Sequence, residues 1–198
     1  RGSTLSVLRS LPNLRNLELA HLETDEEDLQ FLKDLVDLRE LTLEDIVFTD
    51  RELAYLEGMH NLRFLVLRDT FVQGPGLAHL SRLPRLEILW LQLWHAEDAD
   101  PDAALAHLEP MALLKALTIE RTAITDRGLA HLRGLSSLKS VWLDCTRITD
   151  EGLRHLDALP NLIDLDVRQT HVTGEGLLRW KKISSLRYLT VDARQLTS

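Results

Sequence analysis

The chain has 198 residues, a formal net charge of −8 and 44% hydrophobic residues, which is enough apolar content for a sizeable core. Its apolar residues are dispersed, and no run approaches the roughly 18 consecutive ones that a membrane span needs, so we expect no membrane partner. A single cysteine, Cys145, excludes an internal disulfide framework and favours a reducing compartment such as the cytoplasm.

Residues 1–13 precede the first full repeat of a repeating pattern. Arg1 to Ser3 resemble a tag remnant, and Leu5, Leu8 and Leu11 fall at the three-residue steps of an apolar helical face. We therefore expect residues 1–13 to contain a tag remnant and half of a repeat.

Acidic residues are concentrated near the start. Between Asn16 and Glu57 there are 14 acidic and 3 basic residues, whereas the rest of the chain has 17 acidic and 20 basic ones. An acidic surface repels the phosphate backbone, whose binding depends on lysine and arginine. We therefore expect no nucleic-acid partner.

From residue 14 onward the chain is a series of repeats that each begin with Leu-x-x-Leu-x-Leu. Full repeats begin at Leu14, Leu38, Leu62, Leu86, Leu114, Leu138 and Leu162, and a partial one covers residues 186–198. The spacing is 24 residues except from Leu86 to Leu114, where it is 28, so an insertion of four residues falls between His95 and Ala104.

The spacing of the apolar residues changes within each repeat. The alternating leucines at its start predict a short strand, and the leucines at three-residue steps that follow, such as Leu153 and Leu156, predict a helix. Thr149 is a natural N-cap for that helix, and Asp150 adds negative charge at the positive end of its dipole. One such unit cannot bury its apolar face alone, so we expect stacked repeats to form a single solenoid domain over residues 1–198.

The Thr-x-Ile-Thr-Asp-x-Gly-Leu form of Thr122 to Leu129 and Thr146 to Leu153 resembles the leucine-rich-repeat family, and most closely its bacterial and cysteine-containing subtypes. The resemblance implies an α/β, right-handed solenoid with a parallel sheet on the concave face and helices on the convex face, and function through protein binding. The ninth position departs from the family, where Asn or Cys is usual, and Cys145 lies one place early. That position is occupied by Leu22, Ile46, Thr70, Trp94, Thr122, Thr146 and Thr170.

Within each repeat the third, fifth and seventh places point away from the core. Most of these positions are polar, but Phe64, Val66, Ile88 and Trp90 form an apolar group on two adjacent strands. Contiguous apolar surface of this kind indicates partner binding, and aromatic anchors dominate binding energy at interfaces. We predict that the partner-binding residues are Phe64, Val66, Arg68, Ile88, Trp90, Gln92 and Trp142. Leu93 is expected to extend this group, and acidic residues are expected to form its rim, which favours a partner with an apolar knob ringed by basic residues.

The alternative is that the insertion between His95 and Ala104 covers Trp90 and Ile88 from within the same chain. A metal site is not expected, because His79, His107, His131 and His155 lie on different helices, roughly 8 to 10 Å apart, which is too far to share one ion.

The sequence thus favours a binding scaffold without cofactors and without catalytic residues, whose partner is a protein. Two alternatives remain open: a recognition domain of a larger ligase-type or signalling protein, and a hydrolase that uses concave carboxylates such as Asp144 and Asp166. End-to-end self-association is also left open, because neither end of the repeat series shows an obvious cap.

Overall fold

The computed structural model describes residues 4–11, 13–24, 28–92, 100–180 and 183–196. Within these ranges the chain forms one parallel sheet of eight strands, which lie side by side in chain order. The strands are β1 Asn16–Leu22, β2 Glu40–Ile46, β3 Phe64–Arg68, β4 Ile88–Leu91, β5 Ala116–Ile119, β6 Ser140–Trp142, β7 Asp164–Asp166 and β8 Tyr188–Thr190.

The strand register aligns equivalent places of successive repeats. Leu17 pairs with Leu41, and Leu41 with Leu65, at 24-residue intervals. Leu89 pairs with Leu117 across the 28-residue interval, so the insertion leaves the register unchanged. The third and fifth places therefore form continuous rows across the sheet.

The return segments are helical, as the spacing of their leucines predicts, and are of two kinds, 3₁₀ and α. Among the described residues, the return segments before Pro101 are 3₁₀ helices, and α-helices occur from that residue onward. The 3₁₀ helices are Thr4–Ser10, Gln30–Asp34, Glu52–Leu56, Pro75–Arg82, Leu105–Leu108, Ala130–Gly134 and Ile183–Ser185. The α-helices are α1 Pro101–Ala104, α2 Asp126–Leu129, α3 Asp150–Leu156, α4 Gly174–Arg179 and α5 Ala193–Leu196.

The core lies between the sheet and the return segments. In β2, for example, Leu41 and Leu43 are fully buried, whereas Glu40, at the third place of the same repeat, is exposed. The opposite side of the sheet, which carries the third and fifth places, is called the open face below. Among the described residues, none of the helices has the length and apolar character that crossing a membrane requires.

A hydrogen-bonded ladder joins successive repeats on the side away from the open face. Asp126 accepts hydrogen bonds from the backbone N–H of Thr149 at 2.8 Å and from its hydroxyl at 2.7 Å. Thr149 in turn accepts from the N–H of Glu151 and so caps α3, as predicted. Asp150 binds Thr173 in the same way, so the carboxylate assigned to the helix dipole also connects two repeats.

The ladder explains the glycine of the Thr-Asp-x-Gly-Leu motif. A Cβ atom on Gly128 would lie 2.6 Å from Oδ1 of Asp102, the ladder carboxylate of the preceding repeat. A Cβ on Gly152 would overlap Asp126 in the same manner. The motif therefore combines a carboxylate with the glycine that leaves room for the carboxylate of its neighbour.

Candidate functional site

The register brings the predicted apolar residues together on the open face. Phe64 pairs with Ile88, and Val66 pairs with Trp90, on strands that lie about 5 Å apart. We call these four residues the apolar patch. Ile88 is 37% exposed, and Phe64 and Trp90 are half-buried.

Val66 does not have the exposure that the sequence pattern suggested. It is only 6% exposed, because it occupies a central place between Thr42 on one neighbouring strand and Trp90 on the other. The accessible part of the patch is therefore formed by Phe64, Ile88 and Trp90, with Val66 beneath them.

Arg68 lies at the border of the patch, where it stacks on Trp90. Its guanidinium carbon is 5.5 Å from the centre of the Trp90 ring, within the range of a cation–π contact. The same guanidinium donates to the carboxylate of Glu44 on β2, and this bond raises the pKa of Arg68. The ion pair holds Arg68 over the indole and so gives Trp90 a defined position.

Gln92 and Trp142 are placed differently from each other. Gln92 follows β4, and its side-chain amide donates a hydrogen bond of 3.0 Å to Oδ1 of Asp69, the residue after Arg68. Trp142 lies in the same row as Trp90 but is separated from it by the buried Thr118 of β5, so the two indoles are on strands about 10 Å apart. Trp142 is half-buried and is not contiguous with the apolar patch.

Part of the predicted site lies outside the described residues. Leu93, which was expected to extend the patch, and residues 95–99 of the insertion belong to the undescribed range 93–99. The end of the insertion forms α1, whose Asp102 is buried and binds the N–H and hydroxyl of Thr125. The described part of the insertion thus belongs to the ladder.

Tyr188 offers a comparison on the same face. At the third place of β8 it is 65% exposed, more than Ile88, but its partner in the register is Asp164. Single exposed apolar side chains are ordinary on protein surfaces, whereas contiguous ones mark interaction sites. The pairing of Phe64 with Ile88, flanked by Trp90, is what distinguishes the apolar patch.

An acidic groove lies at the carboxyl ends of β1 to β4. It has a volume of about 800 Å³, and Glu23, Asp45 and Asp69 are among its lining residues. The described residues that line it include no lysine and no arginine. His21 also lines the groove, 2.9 Å from Asp45, and this hydrogen bond raises the pKa of the imidazole.

A basic groove of about 380 Å³ lies at the opposite ends of these strands. Three arginines, Arg39, Arg63 and Arg85, line it with the carboxylates of Glu40 and Glu87, so cations outnumber anions, and Phe64 and Ile88 of the apolar patch also lie in its lining. The predicted acidic rim is therefore incomplete, because the patch has basic residues on one side. The signal was readable in the sequence at the second place of the repeat, which is occupied by Arg15, Arg39, Arg63, Glu87, Lys115, Lys139, Ile163 and Arg187.

Of the two carboxylates of the hydrolase alternative, Asp166 is an ion-pair partner. Asp166 is buried, and Arg168 binds it through Nε at 3.0 and 2.9 Å and through Nη2 at 2.6 Å. Arg168 turns back to the carboxylate of its own repeat, where two of its nitrogens reach Asp166. Asp144 instead accepts a long hydrogen bond of 3.4 Å from Gln169.

The repeated histidines take different partners. Nδ1 of His79 lies 2.6 Å from Glu57, and Nδ1 of His131 lies 2.7 Å from Glu109, each on the preceding repeat. Nδ1 of His155 is buried without a hydrogen-bond partner among the described residues. Within the described ranges, no group of three or more His, Cys, Asp or Glu side chains is arranged to hold a metal ion.

Cys145 occupies a turn position after β6 with a φ of 57°. Burial raises the pKa of its thiol, and the neighbouring Asp144 adds to the effect. Both influences disfavour the thiolate, which is the nucleophilic form.

The parallel sheet in chain order, the return helices and the Leu-x-x-Leu-x-Leu register together define an α/β leucine-rich-repeat solenoid. Consistent with this fold, the chain is similar to the crystal structure of an internalin, inlF, from Listeria monocytogenes, with a TM-score of 0.66 and 18% sequence identity. The similarity covers 94% of this chain and 50% of that one, so the chain spans half the length of the internalin structure. No family model and no curated protein matches the sequence.

Proposed function

We propose that this chain is a non-catalytic protein-binding module that recognises its partner through the open face of repeats three and four. The binding residues are Phe64, Val66, Arg68, Ile88, Trp90 and Gln92, with Trp142 as a second anchor. The internalin-like fold supports a recognition role, since such solenoids present an extended concave surface.

The observation that carries the proposal is the contiguity of Phe64, Ile88 and Trp90 on adjacent strands of the open face. Ile88 retains its exposure, and Trp90 is held in place by the stacked guanidinium of Arg68. A rigid, partly exposed aromatic residue loses little side-chain entropy on binding, which is why such residues are frequent energetic centres of interfaces.

The hydrolase alternative has less support. An acid/base pair needs a carboxyl group free to exchange a proton with a substrate. Asp166 is buried under a bidentate contact with Arg168, so its oxygens are already occupied. The arrangement is that of a structural ion pair.

The test is partner capture with variants of the patch. Trp90→Ala should abolish capture from the native cell lysate and weaken binding of the purified partner by about thirtyfold or more, the loss typical of an interface hot spot. Because Trp90 is half-buried on the open face, we expect its replacement to change the free energy of unfolding by only about 1 kcal/mol.

A second pair of variants separates binding from folding. Ile88→Glu places a charge on the exposed part of the patch, and Leu178→Glu does the same at a position of α4 that is 84% exposed. Ile88→Glu should lose the partner and Leu178→Glu should retain it, with similar melting temperatures. Equal capture by both variants, or unfolding of both patch variants, would show that the patch is not the binding surface.

A further inference from the structure

The two grooves differ in charge and lie at opposite ends of the strands, so the two ends of the open face are not equivalent. The basic groove lies where β2 to β4 begin, the acidic groove lies where β1 to β4 end, and the apolar patch lies between them. From the second to the eighth place of a repeat there are six residues, and a strand rises about 3.3 Å per residue, so the grooves are about 20 Å apart. An extended segment of about six residues spans this distance.

The cations of the basic groove are available to a partner. Arg85 donates to the neutral amide oxygen of Asn61 at 2.6 Å, so its charge is not compensated there. Arg63 is 3.7 Å from Glu87, but that carboxylate is held more closely by Lys115 at 2.7 Å, which lowers the pKa of Glu87. In the described part of the chain, Arg39 makes no side-chain ion pair or hydrogen bond.

The anions of the acidic groove are similarly accessible. Asp69 is exposed and accepts only from the neutral side chain of Gln92 among the described residues. Asp45 is exposed and its partner is His21, which is itself exposed. Phe71 lines the same groove and is exposed, so the groove adds apolar surface beside its carboxylates.

We infer that the partner presents an extended, charge-segregated protein segment that crosses β2 to β4 along the strand direction. Its acidic end lies on the basic groove, its apolar side chains cover Phe64, Ile88 and Trp90, and its basic end lies on the acidic groove. This inference rests on the proposed function and adds the chemistry and the orientation of the partner. Charge complementarity across an interface sets orientation and excludes wrong partners, because like charges in contact are costly.

The first experiment selects ligands without assuming their identity. A displayed library of random peptides of about twelve residues, twice the span of the grooves, is selected on the wild-type protein and counter-selected on Trp90→Ala. Trp90-dependent binders should carry acidic residues on one flank of an apolar centre and basic residues on the other. Binders that depend on Trp90 but lack this segregation would overturn the inference and leave the proposed function standing, whereas absence of Trp90-dependent binders would contradict both.

The second experiment locates the two ends of a selected peptide. A photoreactive benzophenone at the acidic end should cross-link to residues 61–64 and 85–88, and one at the basic end to residues 45–47 and 69–71. The double variant Arg63→Glu, Arg85→Glu should weaken binding of the selected peptide by about tenfold. A peptide whose acidic flank is changed to lysine should recover that loss of affinity on the double variant. Identical cross-links from both ends, or no recovery, would overturn the orientation.

A second copy of this chain is the competing occupant, since the basic groove of one molecule is complementary to the acidic groove of another. Sedimentation of the protein alone should show a monomer. Self-association that Arg63→Glu, Arg85→Glu abolishes would assign the grooves to a second copy and overturn the peptide segment.

Discussion

Two histidines illustrate how a single side chain responds to its place in the repeat. His21 is exposed and donates a hydrogen bond from Nδ1 to the carboxylate of Asp45, which raises its pKa above the ordinary value of 6.5. His155 lies on the opposite side of the repeat, where burial lowers its pKa and the nearby Arg133 lowers it further. Where His79 and His131 meet a glutamate of the preceding repeat, His155 meets an arginine.

The opposite shifts predict an order of titration. In an NMR titration of the imidazole signals, the midpoint of His21 should lie above 6.5 and that of His155 below it. The contribution of His21 to stability is present below 6.5 and is lost as pH rises through its raised pKa. That of His155 is present above 6.5 and is lost as pH falls through its lowered pKa.

Two variants serve as controls for this titration. Asp45→Asn should lower the midpoint of His21 and leave His155 unchanged, and Arg133→Glu should raise the midpoint of His155. A titration in which His155 has the higher midpoint contradicts the described environments.

At the scale of the element, the ladder of Asp and Thr determines how one repeat stacks on the next. Asp126 and Thr149 are 23 residues apart, yet they form two hydrogen bonds that each connect α2 to the start of α3. Hydrogen bonds to a charged group typically contribute about 1.5 to 3 kcal/mol, so the ladder is a substantial part of the interface between repeats.

Two glycine-to-alanine substitutions test the ladder, because they are expected to change the free energy of unfolding in opposite directions. Gly152→Ala should destabilise the protein by about 1 to 3 kcal/mol, because the new Cβ would overlap the carboxylate of Asp126. Gly134→Ala, where a Cβ meets nothing within 4 Å, should stabilise it by about 0.5 to 1 kcal/mol. Denaturant unfolding measures both, and the cost of Gly152→Ala should shrink when Asp126 is replaced by Ala. Equal effects of the two alanines would mean that the ladder carboxylate can move aside.

The strands were predictable and the contacts between repeats were not. The positions of Leu41, Leu65 and Leu89 predict the strands and their register. A strand with alternating apolar residues buries one face, and a shift of one residue would expose all of its leucines. The partner of Asp126 lies in the next repeat and has no local signal within its own. The burial of Val66 also depends on neighbours from two other strands, which a pattern within one repeat does not contain.

The candidate site shows the same division. Reading the third and fifth places identified Phe64, Ile88 and Trp90, which the register does bring together on adjacent strands. The basic groove has its sequence signal at the second place of the repeat, where Arg39 and Arg63 stand. The pairing of Arg168 with Asp166 depends on a side-chain conformation, which a sequence pattern does not determine.

At the scale of the whole molecule, the solenoid places one apolar patch between two grooves of opposite charge. Glu23, Asp45 and Asp69 lie at the carboxyl ends of the strands, and Arg39, Arg63 and Arg85 lie at their amino ends beside Glu40 and Glu87. Long-range fields of this kind accelerate association and orient the partner, while the apolar patch supplies contact area. The proposed partner therefore needs both features in one segment.

Hydroxyl-radical footprinting of the complex tests the central claim most directly, because it reports the solvent exposure of individual side chains. With a captured partner bound, the oxidation rates of Phe64, Ile88 and Trp90 should fall several-fold, while the rate of Leu178 on α4 stays unchanged. Protection of Leu178 with unchanged oxidation of Trp90 would place the binding surface on the helical side and contradict the account.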